Sequence, residues 1–398
     1  MNDKKKNLWD NSLNNISEEH IEEMAQTLYK KSLTDFNEND LVIVETEKKS
    51  KLPIFALVAS IVAIIGVVTI TGVIISNSGI LTMSSNSEGD SSIVSDDDTL
   101  TYNDFSYTED NGTVTITRYN GSDSEVVIPS EIGGKKVTDI GMEAFDSCTF
   151  LTSVTIPHSV TEIGIAAFYD CTSLTSIIMP DSITGIGIEA FYNCESIISV
   201  TIPDSVTSIG DRAFTGCASL TSITIPDSVT SIGAEAFSGC SFACVAIPNS
   251  VTKIADYTFL GCTSLTSVTI PDSVTSIGVE AFSGCSSLAP VTIPDSVISI
   301  DESAFLYCES LTAINVDTDN PKYCSVDGVL FSKDMTNLIY YPTGKTDTSY
   351  TIPYGVTSIS NYAFGYCTSL TSVIIPDSVT SIANLAFAGC PAITSVPA

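Results

Sequence analysis

The sequence predicts a mostly β solenoid, a stack of coils of about 23 residues each, together with one transmembrane helix and a short helix that precedes it. A phenylalanine followed three residues later by a cysteine occurs ten times, at intervals of 23 residues except for one of 22 and one of 59. Residues 54–75 are 22 consecutive uncharged and mostly apolar residues. A fixed spacing over so many units is typical of proteins whose repeats stack on one another.

Residues 1–51 are predicted to be a cytoplasmic segment. Within it, residues 17–33 predict one amphipathic helix, because Ser17 can cap its start, glutamates follow near the positive end, and Lys30 and Lys31 lie near the negative end. This helix is interpreted as solvated or lying on the membrane surface, with a docking element for a cytoplasmic partner as the alternative.

Residues 52–75 are predicted to form the transmembrane helix, since an apolar helix of this length spans a hydrocarbon core of about 30 Å. A secretory signal peptide is the competing interpretation, but its apolar part is shorter and lies nearer the N-terminus. A buried soluble helix is the other. Lys48, Lys49 and Lys51 precede the segment, and no basic residue follows until Arg118. Because cytoplasmic flanks are rich in Lys and Arg, we expect a cytoplasmic N-terminus and extracellular repeats.

Residues 76–98 are serine-rich and acidic, which predicts an extended stalk that cannot bury a core. Its run of three aspartates, residues 96–98, is interpreted as solvated linker, with calcium binding as the alternative. Residues 99–134 follow as a predicted cap. There Asn111 and Gly112 separate two alternating runs, which indicates a β-hairpin that covers the first coil.

Residues 135–398 are predicted to form the solenoid, and the unit "LTSITIPDSVTSIGAEAFSGC" at 220–240 shows its logic. Leu220, Ile223 and Ile225 point inward from a strand, which ends at Pro226 because proline cannot donate to a ladder. The Ala-Phe pair at 236–237 predicts a short helical turn. A lone coil buries too few side chains to offset the entropy of ordering its backbone, so the coils must stack with parallel strands.

The repeated wording IPDSVTSIG…AF..C resembles the BspA-like leucine-rich repeats of bacterial and protozoan surface proteins, over about residues 100–398. The resemblance implies a leucine-rich-repeat solenoid at the cell surface, with adhesion to host proteins or other cells as its activity and no catalytic residues. A stretch at about 317–346 is similar to the family's hairpin insert, with Asp327 and Gly328 as the turn and 329–331 and 338–341 as strands.

Ten of the 12 cysteines occupy one position of the coil, which predicts an inward ladder of buried thiols. Disulfides between adjacent coils are the alternative, because the coil spacing falls within disulfide reach. Cys244 and Cys324 lie off the ladder, and Cys244, which takes the place of Ser222 on the strand surface, is either an ordinary surface residue or a reactive thiol. Because the chain has only two histidines, His20 and His158, we expect no zinc site, no histidine-dependent catalytic triad and no enzymatic activity.

A second stack consists of the aspartates that follow proline. Turn chemistry explains them, and a row of weak divalent-cation sites is the alternative; no other cofactor is expected. These residues are Asp181, Asp204, Asp227, Asp272, Asp295 and Asp377.

The outward positions of the strands form a flat face of small, almost uncharged side chains. Such a face either binds an extracellular protein or glycan along a long track or is an ordinary soluble strand surface. The insert at 317–346 is the rival binding site, since loops that interrupt a repeat often carry recognition. The binding surface is predicted to consist of Ser153, Thr155, Ser199, Thr201, Ser222, Thr224, Ser267 and Thr269.

The function predicted from these features is that of a membrane-anchored cell-surface binding protein that acts in adhesion. The formal net charge of −31 disfavours nucleic acid as a partner. The alternatives are a transmembrane sensor that couples ligand binding to a partner of the cytoplasmic helix at 17–33, and a structural wall or stalk protein.

Overall fold

The computed structural model describes residues 75–76, 79–80 and 99–393. Among them no helix has the length and apolar character needed to cross a membrane. The predicted cytoplasmic segment, the transmembrane segment except Ile75, and nearly all of the stalk lie outside the described residues. The chain divides into two compact units, residues 1–93 and 94–398. In the first, strand β1 (Ile75–Ser76) pairs antiparallel with β2 (Gly79–Ile80).

The second unit begins with an antiparallel meander of three strands, β3 (Leu100–Tyr102), β4 (Phe105–Asp110) and β5 (Thr113–Tyr119). Asn111 and Gly112 form the turn between β4 and β5, both with positive φ of 49° and 84°. Three further strands follow, β6 (Glu125–Val127), β7 (Glu131–Ile132) and β8 (Lys135–Ile140). Because β5 pairs in parallel with β8, the meander continues the sheet of the first coils.

Each regular coil contributes a first strand of three residues and a second strand of two. In chain order these strands are β9 (Ser153–Thr155), β10 (Glu162–Ile163), β11 (Ser176–Ile178), β12 (Gly185–Ile186), β13 (Ser199–Thr201), β14 (Ser208–Ile209), β15 (Ser222–Thr224), β16 (Ser231–Ile232), β17 (Cys244–Ala246), β18 (Lys253–Ile254), β19 (Ser267–Thr269), β20 (Ser276–Ile277), β21 (Val291–Ile293), β22 (Ser299–Ile300) and β23 (Ile314–Val316). Beyond the insert they are β27 (Ser349–Thr351), β28 (Ser358–Ile359), β29 (Ser372–Ile374) and β30 (Ser381–Ile382).

The coils stack in parallel and in register, as the spacing predicts. Ser199 of β13 lies beside Ser222 of β15, one 23-residue unit later. The buried phenylalanines stack ring on ring; the centroids of Phe168 and Phe191 are 5.3 Å apart with an angle of 3° between the planes. The predicted β solenoid is therefore confirmed, and its core is a continuous column of equivalent side chains.

The predicted short helical turns are wrong, because the described part of the chain contains strands and turns but no helix. The segment around Phe214 makes isolated turn hydrogen bonds, such as the 3.2 Å bond from the Cys217 amide to the Phe214 carbonyl. Arg212 and Gly216 on either side of it have φ of 54° and 74°, a left-handed backbone that interrupts a helix. The amide of Phe214 instead bonds the next coil, at 2.8 Å from the Ala236 carbonyl.

The insert forms a small antiparallel sheet of β24 (Tyr323–Val326), β25 (Val329–Ser332) and β26 (Asn337–Tyr340). Asp327 and Gly328 make the turn between β24 and β25. The third strand, β26, returns to the solenoid, where it pairs in parallel with β28. The insert is thus spliced into the stack at the level of one coil, and Asn337 takes the position that serine has in most second strands.

Candidate binding surface: the outward strand face

The eight side chains predicted to form the binding surface lie on β9, β13, β15 and β19, in equivalent positions. We call them the strand face. Seven are exposed and Ser153 is half-buried. Between each Ser and Thr lies one inward residue, for example Val200, which is 3% exposed. The alternation of the strand therefore directs both hydroxyls of every coil outward.

Other hydroxyls of the coil are hydrogen-bonded within the stack. Thr175 donates its Oγ1 to the carbonyl of Thr152 one coil earlier, at 3.0 Å. Ser182, in the turn after proline, donates to the Val160 carbonyl at 2.6 Å, and Thr207, two residues before Ile209, donates to the Thr184 carbonyl at 3.2 Å. Equivalent bonds recur in later coils. Three of the hydroxyl columns thus stabilise the stack.

The strand face differs because none of its eight hydroxyls has a hydrogen-bond partner among the described residues. These hydroxyls can each donate one and accept two hydrogen bonds to a ligand. Sequence reasoning placed them outward, yet could not separate them from the Thr and Ser columns that pair between coils. The signal that distinguishes them is their position on the strand, where none of the eight bonds a carbonyl of the neighbouring coil among the described residues. Beyond the insert, the equivalent Ser372 and Ser349 bond each other at 3.0 Å.

The face is less uniform than the sequence suggested, because several large apolar side chains lie on the same strand surface. Val127 on β6 is 71% exposed and Ile178 on β11 is 69% exposed. Ile198, which directly precedes β13, is 57% exposed. The exposed Cys244 occupies the serine position of β17. The end of the face nearest the cap therefore combines free hydroxyls with apolar contact area.

Nine of the ten ladder cysteines are buried, as predicted, Cys390 at the end of the ladder is half-buried, and all twelve cysteines are free thiols. Eight of the ten ladder thiols donate to the carbonyl of a phenylalanine in the preceding coil, and for Cys194 and Phe168 the distance is 3.1 Å. Cys367 donates to the Tyr341 carbonyl instead. Burial raises the pKa of the Cys217 thiol to about 12, so this thiol stays protonated at neutral pH. The ladder's role in the structure is packing and hydrogen bonding. Cys324, off the ladder, is half-buried and lies 3.4 Å from the Met335 Sδ.

The column of aspartates after proline is exposed along the solenoid. Across residues 99–393, no group of three or more His, Cys, Asp or Glu side chains is arranged to hold a metal ion. His158, which interrupts this column, is also exposed. The structure thus brings the aspartates together as a solvated row, in which each faces water.

The repeats are similar to those of known proteins. The model of the BspA type leucine rich repeat region matches residues 138–266, 231–338 and 335–397. The chain is similar to a leucine rich cell surface protein from Faecalibacterium prausnitzii A2-165, with 38% identity, coverage of 74% of this chain and 74% of that chain, and a TM-score of 0.58. A search of the curated proteins found no match.

Two further solved structures share the repeat. A leucine rich repeat protein from T. pallidum is 38% identical, covering 48% of this chain and 90% of that chain, with a TM-score of 0.46. The pneumococcal vaccine antigen PcpA is 24% identical, covering 75% of this chain and 70% of that chain, with a TM-score of 0.50, a likeness of fold alone. The family match and the similarity to the Faecalibacterium protein agree with the stacked 23-residue coils, and the chain belongs to the BspA-type leucine-rich-repeat family of surface proteins.

Proposed function

We propose that this chain is a membrane-anchored cell-surface protein that binds extracellular proteins or glycans through the strand face, and that its role is adhesion. The observation that carries the proposal is the set of eight outward hydroxyls that lack a hydrogen-bond partner among the described residues, in equivalent positions of four strands. A ligand laid along the face meets a similar pair of hydroxyls on each of these four strands, so affinity is distributed along the solenoid.

Two features support the location at the cell surface. The relative from Faecalibacterium prausnitzii is described as a cell surface protein. The uncharged segment at 52–75, preceded by Lys48, Lys49 and Lys51, is long enough to span a bilayer and has the basic flank of a cytoplasmic side. We therefore propose that this segment anchors the chain, with the repeats outside.

The test is binding of the full chain to immobilised matrix proteins, mucins and cell-wall glycans. A variant with Thr201→Arg, Thr224→Arg and Thr269→Arg places three long side chains across the strand face. Because these positions are exposed, the fold is kept, and we expect binding to the recognised ligand to fall by about a hundredfold, the loss of contacts worth about 3 kcal/mol.

The matched control adds the same three charges at exposed positions off the strand face, Ser219→Arg, Thr263→Arg and Ser264→Arg, and retains binding. A third variant, in which a plain coil replaces residues 317–346, separates the rival site. If the strand-face variant binds as well as the control while replacement of the insert abolishes binding, the site is the insert and the proposal fails.

A further inference from the structure

The insert changes the coil that carries it in a way that opens a cavity. In a regular coil four residues lie between the second-strand isoleucine and the stacked phenylalanine, as between Ile300 and Phe305. In the insert coil Leu338 pairs with Ile359, and the Tyr341 amide bonds the Ala363 carbonyl as a stacked phenylalanine would. Only two residues lie between Leu338 and Tyr341, so the outer turn of this coil is two residues short.

The shortened turn leaves a gap between the coils on either side of it. A cavity of about 650 Å³ lies there, with Glu302 and Ser303 on one wall and Asn361 and Tyr362 on the other. Beyond Glu302 the cavity extends along the second strands as far as Lys253 and Asp256. A second cavity of about 360 Å³ shares those two residues and reaches Asp211. Together they form one groove, the second-strand groove, that crosses about six coil levels.

Polar groups of the groove are available to a ligand. The hydroxyls of Ser231, Ser276 and Ser299 have no partner among the described residues, and the ammonium of Lys253 has no ion pair there. The half-buried carboxylate of Glu302 is likewise unpartnered within the described chain. The groove therefore supplies acceptors, a charged donor and hydroxyls that do both.

Two aspartates of the groove are held in place by the neighbouring coil. Asp211 accepts the Ala234 amide at 2.8 Å with its Oδ1, and Asp256 accepts the Val279 amide at 3.0 Å in the same way. The second oxygen of each carboxylate remains for a ligand, in an orientation that the backbone bond fixes. Such pre-organisation lowers the entropy lost on binding.

Three acidic side chains of the groove recur at alternate coils, while a fourth, Asp301, accepts hydrogen bonds from Ser303 of its own coil. Asp211, Asp256 and Glu302 occupy the same position of their coils, and the two coils between them carry Ala234 and Val279 there. Adjacent coils are one strand spacing apart, so acceptors repeat about every 10 Å. That distance is close to the disaccharide repeat of an extended β-1,4-linked glycan.

We propose that the second-strand groove binds a linear, uncharged β-1,4-linked polysaccharide. Sugar hydroxyls both donate and accept hydrogen bonds and so match the mixture of carboxylates, serines and Lys253, while the Tyr362 ring on the end wall offers an apolar surface to a sugar ring. The net charge of −31 disfavours an anionic polymer, while the excess of carboxylates over Lys253 makes a basic segment the rival ligand that the test separates. This site is separate from the strand face, and either can exist without the other.

The test is calorimetric titration of the full chain with a hexasaccharide of β-1,4-linked N-acetylglucosamine. We expect binding that weakens about fivefold in Lys253→Ala and in Glu302→Ala, the loss of one hydrogen bond each. The controls Lys136→Ala and Glu195→Ala remove the same charges at exposed positions off the groove and leave the affinity unchanged. A disaccharide, which spans one period, binds about tenfold more weakly than the hexasaccharide.

Salt separates this proposal from binding of a basic segment. Affinity for the uncharged hexasaccharide stays constant as ionic strength rises, because no counterions are exchanged. Absence of hexasaccharide binding overturns the proposal, as does an equal loss in the control variants. Binding of an oligolysine peptide that is lost at high salt, with no binding of the hexasaccharide, assigns the groove to a basic ligand instead. Amide exchange that matches the native chain verifies that each variant is folded.

Discussion

The regular coils at 138–308 and the insert coil at 309–346 belong to the same stack, but different kinds of hydrogen bond hold them in it. In a regular coil a side chain donates a hydrogen bond to a backbone carbonyl of the preceding coil, and the same bond recurs from coil to coil. Ser182 donates to the Val160 carbonyl in this way, and Cys194 donates to the Phe168 carbonyl. In the insert coil the partners are unique. Asn320, fully buried, donates to the Pro294 and Val297 carbonyls at 2.7 and 2.9 Å and accepts the amides of the two residues that begin the hairpin.

This difference explains both the repetition and its interruption. The same residue type fits the same position of every regular coil, because its hydrogen-bond partner is the equivalent atom of the neighbouring coil. The insert coil has no such copy, and the Tyr340 hydroxyl, 2.6 Å from the Phe305 carbonyl, bonds a position that a ladder cysteine would otherwise serve. Repetition gives stability, and its interruption opens the end of the groove that Asn361 and Tyr362 line.

Alkaline pH is expected to destabilise the regular coils through their buried thiols. Burial raises the pKa of Cys217, Cys262 and Cys308 from 9.0 to about 12. Between these values the unfolded chain has lost the thiol protons while the folded chain keeps them, so the unfolding free energy falls as pH rises from 9.0 to about 12. For three thiols the slope is about 4 kcal/mol per pH unit, measured by urea unfolding at a series of pH values.

The matched variant replaces the three cysteines by alanine. Its unfolding free energy is lower at neutral pH, because of the lost packing, but it declines less steeply above pH 9.0. Equal slopes in the two proteins would show that the thiols ionise freely in the fold and that the ladder is not buried in solution.

Asn320→Ala is expected to destabilise the insert coil. The substitution removes four hydrogen bonds, two to the carbonyls of Pro294 and Val297 and two from the amides of Lys322 and Tyr323, each contributing about 1 kcal/mol. We expect a loss of about 4 kcal/mol in urea unfolding, with amide exchange accelerated first in residues 317–346. Asn249→Ala, at an exposed turn position of a regular coil, changes the stability by less than about 0.5 kcal/mol. A loss as small as this in Asn320→Ala contradicts the account of the insert.

The features of the structure that follow from the 23-residue repeat and from the alternation of strands could be predicted from the sequence. The inward positions of Leu220 and Ile225, the outward positions of the strand face and the turns at Asn111 and Asp327 all follow from alternation and turn chemistry. The helical turn at 236–237 was wrong, since the bonds that replace it come from the adjacent coil, and a local pattern does not report them.

The groove could not be predicted for a related reason. The missing two residues between Leu338 and Tyr341 are visible in the sequence only once the structure shows that Tyr341 occupies the phenylalanine position. The free and bonded hydroxyls likewise differ only by which carbonyl of the next coil lies within reach. The predicted anchor at 52–75 lies outside the described residues and stays a prediction.

The most direct test of the account compares two triple variants with the same chemical change. Ser182→Ala, Ser273→Ala and Ser296→Ala remove hydroxyls that bond the preceding coil at 2.6, 2.7 and 2.7 Å. Ser199→Ala, Ser222→Ala and Ser267→Ala remove the same number from the strand face. In urea unfolding of the full chain, the first variant loses about 3 kcal/mol and the second less than about 0.5 kcal/mol. Equal losses in the two variants would contradict the division of hydroxyls between stacking and binding.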